Sequence, residues 1–61
     1  MKTLAKVFTL DYKFKDTIEC TVTKIVNDFF QIVIGSKTYI EKVIGNEICI
    51  QSKKGYYIIS L

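Results

Sequence analysis

The sequence predicts an all-β domain, a small antiparallel meander of five to six short strands curled into a barrel or a two-layer sandwich, with no substantial helix. Three observations carry this. Val, Ile, Thr and aromatic residues dominate, as strands favour. Apolar and polar residues alternate with period two over several stretches. Turn-forming residues recur at the short spacing of all-β chains. The 61 residues make a single domain, 1–61. Apolar residues are 49 % of the chain and Pro is absent, a rich apolar set for so short a sequence.

Taken in order, residues 8–15 place Phe8, Leu10, Tyr12 and Phe14 against Thr9, Asp11, Lys13 and Lys15. This is a half-buried strand pattern, with a turn expected at Lys15-Asp16. Leu4 extends the apolar set, while Ala5 and Val7 fall on the other phase, which predicts a bend or bulge near Lys6-Val7. Phe8, Tyr12, Phe14 and Phe30 are the expected core aromatics, with one of Tyr56 and Tyr57.

The stretch Thr17–Ile34 reads as the central hairpin. Two registers compete there. A two-residue Asn27-Asp28 loop pairs Val26 with Phe29 and Val22 with Val33, and has the better turn chemistry. A three-residue loop pairs Val26 with Phe30 and Val22 with Ile34. It joins Ile18, Cys20, Val22 and Val26 to Phe30, Ile32 and Ile34 on one apolar face, as the hydrophobic pattern favours.

Gly35-Ser36-Lys37 is the next turn, followed by a strand over Thr38–Ile44. Gly45-Asn46 is a two-residue hairpin signal leading into Glu47–Ser52. Lys53-Lys54-Gly55 suggests a turn with Gly55 left-handed, setting Ile50 opposite Ile58 and Cys49 opposite Ile59. The last strand, Tyr56–Leu61, is apolar on both faces.

The chemistry available is narrow. With no His, the chain lacks the ordinary zinc ligand sets and the usual nucleophilic triads. Gly35, Gly45 and Gly55 are isolated and form no phosphate loop. A non-enzyme without metal or cofactor is expected. Cys20 and Cys49 fall on different phases, and free thiols are expected in a cytoplasmic, reducing setting. No apolar run reaches the roughly 20 residues of a membrane-spanning helix.

Two binding readings follow. The first is a protein-binding or self-associating domain, a homodimer, adaptor or inhibitor. It would use a sheet edge and an exposed patch of Phe29, Val33, Tyr39, Val43, Tyr57, Ile59 and Leu61. The alternative starts from the net charge of +3, carried by nine lysines and no Arg. Lys13, Lys15, Lys24, Lys37, Lys53 and Lys54 would meet phosphates while Tyr and Phe stack bases. Thr17–Ile25 followed by Phe30–Ile34 and a glycine turn loosely resembles the opening of an S1/OB-type barrel. The chain departs from that family in lacking Arg and the helix before the last strands, so no membership is inferred.

Overall fold

The computed structural model describes all 61 residues as six antiparallel strands in one nearly closed, barrel-shaped sheet. The strands are β1 Lys2–Phe8, β2 Phe14–Val26, β3 Phe29–Ile34, β4 Lys37–Lys42, β5 Glu47–Ser52 and β6 Gly55–Ser60. Their order in the sheet is β4-β3-β2-β1-β6-β5. Pairing of β6 with β1 brings the ends of the chain's meander together. The sheet stays open along a single seam, between β4 and β5.

Inward side chains alternate along each strand and build one core. Ala5, Cys20, Val22, Ile32, Ile48, Ile50 and Ile59 are buried, with Ile18, Phe30, Ile34, Tyr39, Val43 and Tyr57 packed around them. Each of the four fully buried isoleucines contributes about 1.5–3 kcal/mol by leaving water.

The central hairpin combines features of both expected registers. Val26 pairs with Phe29 across a two-residue Asn27-Asp28 loop, yet Lys24 pairs with Phe30 and Val22 with Ile32. The difference is a bulge at Ile25, one extra residue on β2. The bulge lets Asn27 close a tight turn at φ +51°, a conformation Asn tolerates better than most residues. It also keeps Phe30, Ile32 and Ile34 on the side of Ile18, Cys20 and Val22. Val26 leaves the core face and is exposed.

The first strand differs from expectation. It spans Lys2–Phe8, and the alternating residues 9–13 are a loop. Thr9 closes this loop: its N–H donates to the Lys13 carbonyl at 2.8 Å, its carbonyl accepts from Tyr12 N–H, and its hydroxyl donates to Asp11. Local hydrogen bonds of this kind compete with a ladder. The inward face of β1 is therefore that of Ala5 and Val7. The expected irregularity lies across from Val7 and Phe8, where Lys15 is the extra residue on β2. Tyr12 and Phe14 are exposed, not core. Phe14 packs edge-on against Phe8 at 5.9 Å, and Tyr12, at φ +64°, stacks on Tyr56 at 4.6 Å.

The last hairpin is also one residue tighter than expected. Ser52 pairs with Gly55 across Lys53-Lys54, so Ile50 faces Tyr57 and Cys49 faces Ile58. That shift sends Ile59 and Tyr57 inward. Gly55 takes φ +154° rather than the left-handed turn conformation, and the Phe8 carbonyl lies where a Cβ would stand, so no side chain fits here. The Gly45-Asn46 turn forms as expected but closes a single bridge, Ile44 with Glu47; β4 ends at Lys42 rather than Ile44 and makes no ladder with β5.

Candidate functional site: a seam between two free edges, with opposite ends

In an antiparallel ring the connections alternate between the two ends. Loops 9–13, Gly35-Ser36 and Lys53-Lys54 therefore share one end. Asn27-Asp28, Gly45-Asn46 and the residues beside them share the other.

The sequence's charge divides along this axis. Lys13, Lys15, Lys37, Lys53 and Lys54 stand at the first end against only Asp11 and Asp16, which leaves +3 there, the whole net charge of the chain. At the second end Lys24 and Lys42 stand against Asp28, Glu41 and Glu47, a net charge of −1. Lys24 is thus separated from the other five lysines of the expected phosphate-binding set.

The second end is apolar. Ile25 (50 % exposed), Val26 (57 %), Phe29 (42 %) and Ile44 (79 %) gather there. Val26 pairs with Phe29, and the Val43 N–H donates to the Asp28 carbonyl at 2.8 Å, which brings Ile44 alongside. Ile40, 60 % exposed, continues this surface onto β4.

The seam exposes backbone. The Val43–Asp28 bond fixes the alternation on β4: Lys37, Tyr39 and Glu41 bond to β3, while Thr38, Ile40 and Lys42 turn their N–H and C=O groups away from it. On β5 the Leu61–Asn46 bond fixes the same pattern, with Ile48 and Ile50 bonded to β6 and Cys49 and Gln51 facing the seam. Near Gly45-Asn46 the two edges meet. Towards the lysine-rich end they enclose an open cleft of about 780 Å³, lined by Lys37, Tyr39, Gln51, Ser52, Lys53, Lys54 and Tyr57.

Local structure holds these side chains in place. Gly35, at φ +61°, makes the turn that delivers Lys37. The Ser52 hydroxyl donates to the Gly55 carbonyl at 3.1 Å and accepts from Lys54 N–H, fixing the Lys53-Lys54 loop. Tyr57 is paired on both sides, with Val7 and with Ile50. Its ring lies 6.3 Å from that of Tyr39.

The expected interface residues do not make one patch. Phe29 and Leu61 are exposed at the apolar end, where Val43 is half-buried against the core. Val33 is half-buried on the outer face. Tyr39 and Tyr57 floor the cleft at the other end. Ile59, expected on the outer face, is fully buried, because the tighter last hairpin reverses its phase. Ile25, Val26, Ile40 and Ile44 were not in the expected set. Ile40 and Ile44 share a strand phase with Thr38 and Lys42, which is the signal that marks them as outward.

Cys20 is buried and Cys49 exposed, both as free thiols, and burial raises the Cys20 thiol above its ordinary value. Tyr56, beside the cleft end, has its phenol raised by the Tyr12 hydroxyl as hydrogen-bond partner, then by desolvation, with the charges of Tyr12 and Cys49 adding. No known protein family matches this sequence, and no curated protein or solved structure shows significant similarity to it.

Proposed function

We propose that this domain is a non-catalytic protein-binding module that associates with a second copy of itself through its apolar end and the adjoining free edge of β4. The observation that carries the reading is the surface formed by Ile25, Val26, Phe29, Ile40 and Ile44, continuous with unpaired backbone groups on β4. Exposed apolar surface beside an open strand edge favours strand pairing. Charge supports a second copy as the occupant. Lys24 and Lys42 offset all but one of Asp28, Glu41 and Glu47 at this end, so two copies approach with little net repulsion. At the lysine-rich end they repel. An antiparallel pairing centred on Ile40 sets Thr38 of one copy opposite Lys42 of the other and uses only backbone groups that β3 leaves free.

The size of the interface sets its strength. A standard interface takes about 800 Å² from each partner, and the whole domain exposes only 4525 Å². One end offers less than the standard patch, so the pair is a weak, reversible dimer. Light scattering across a micromolar-to-millimolar series should show the apparent mass rising from 7.0 kDa towards twice that value. Ile40→Lys and Ile44→Lys should each hold the mass at the monomer value. A wild-type chain that stays monomeric at millimolar concentration, or variants that associate as the wild type does, would overturn the proposal.

A further inference from the structure

The opposite end carries a second site, which shares the β4 edge with the proposed dimer and is open in the monomer. We propose that the cleft of the β4–β5 seam binds a short stretch of single-stranded nucleic acid, with a base against Tyr39 and Tyr57 and the flanking phosphates on Lys37, Lys53 and Lys54.

Three observations converge on it. Five of the nine lysines stand at this end and account for the net charge, while no carboxylate lines the cleft. The cleft volume of about 780 Å³ lies within the roughly 300–1,000 Å³ range of small-ligand sites, large enough for a base and its sugar. Its floor is aromatic: the Tyr39 and Tyr57 rings are 6.3 Å apart, tilted by 50°, and each is only half-buried. A base needs a π-face and a nearby cation, and every base has the face, so such a site is tolerant of sequence.

The chemistry separates this ligand from its rivals. A duplex keeps its bases stacked inside, out of reach of a recessed tyrosine pair. An acidic extended peptide would use the lysines and the free backbone of Thr38 and Gln51, but gains nothing specific from the two rings. Lys supplies charge without the bidentate fork that reads guanine edges, so the site follows the backbone and stacks bases.

The test is fluorescence anisotropy with a labelled oligothymidylate at low salt, with folding of every variant checked by far-UV circular dichroism. Three phosphate contacts predict a log–log salt slope of about −2, from about −0.7 per phosphate on a single strand. Lys53→Gln combined with Lys54→Gln should weaken binding and leave a slope near −0.7. Tyr57→Leu keeps an apolar side chain but no ring face, and should weaken binding about 10-fold, since stacking contributes 1–3 kcal/mol per base. Tyr57→Phe should restore it. A duplex of the same length should bind more weakly than the single strand, and a polyglutamate peptide should compete poorly.

Absence of binding at low salt would overturn the proposal. So would equal affinity for duplex, equal competition by polyglutamate, or a Tyr57→Leu variant that binds as the wild type does. Equal competition by polyglutamate would mark the cleft as a site for acidic peptides instead.

Discussion

Gly55→Ala tests the closure of the barrel. Gly55 opens β6, and an added Cβ would lie 2.0 Å from the Phe8 carbonyl oxygen. Ordinary contact begins at 3.4 Å, so the β1 backbone would have to retreat by about 1.4 Å. Nothing flexible can absorb this, because both groups are main chain. The retreat pulls on the Phe8–Tyr56 pairing, the last rung joining β1 to β6. Holding Ala at φ +154° adds about 1–3 kcal/mol, and each weakened ladder bond adds about 0.5–1.5 kcal/mol. The combined loss is about 3 kcal/mol. A domain of 61 residues has roughly 3–9 kcal/mol of stability in all, so the loss is a large share. Thermal unfolding followed by circular dichroism should show a fall in Tm of about 12–24 °C, at about 4–8 °C per kcal/mol for this size. Gly45→Ala is the control. Its φ is +65° but no atom lies within 4 Å, so it costs only the left-handed conformation, about 1–2 kcal/mol. A Gly55→Ala variant no less stable than Gly45→Ala would refute the close approach of β6 to β1.

Further predictions concern the core, the bulge and the titrating groups. Ile32→Ala, at a fully buried position, should cost about 2–5 kcal/mol in urea unfolding. Deleting Ile25 removes the bulge while leaving Val22 opposite Ile32, so stability should change by less than about 1 kcal/mol. A thiol reagent should modify exposed Cys49 promptly and buried Cys20 only at the rate of unfolding. Tyrosinate absorbance should show Tyr56 titrating above its ordinary value of 10.0. Because the folded state holds this proton more tightly, stability is full below the ordinary phenol value and falls as pH rises from there through the raised one. Tyr12→Phe should return Tyr56 towards the ordinary value.

The all-β class was legible because β-branched residues and short-spaced turns point the same way along the chain. The Gly45-Asn46 turn was legible because Gly at φ +65° supplies it. The inward face of Phe30, Ile32 and Ile34 was legible because burial of isoleucine outweighs a preferred loop length. The bulge at Ile25 was not legible, since no break in the period-two count marks it, whereas the break in phase at Lys6-Val7 did signal the irregularity whose extra residue, Lys15, stands on β2. The Thr9–Lys13 loop was hidden by chance alternation, and its Thr9 hydrogen bonds are specific to three dimensions. Lys53-Lys54 carries no strong turn signal, so the register that buries Ile59 was missed by one residue. The cleft was half legible. Lys37, Lys53, Lys54, Tyr39 and Tyr57 were each singled out, but on separate lists. Only the wrapping of β6 onto β1 shows that they share one seam.

The account rests on a barrel with two unlike ends, and amide chemical shifts on an isotopically labelled chain test that directly. Dilution of the protein alone should move the amides of Phe29, Ile44 and the β4 edge about Ile40 and leave those of Lys53, Lys54 and Tyr57 in place. Addition of the oligothymidylate to a dilute sample should move Lys37, Tyr39, Lys53, Lys54 and Tyr57 and leave the apolar end in place. Two sets of shifted amides that overlap beyond β4, or a set scattered over both ends, would contradict the division of the molecule into a self-associating end and an anion-binding one.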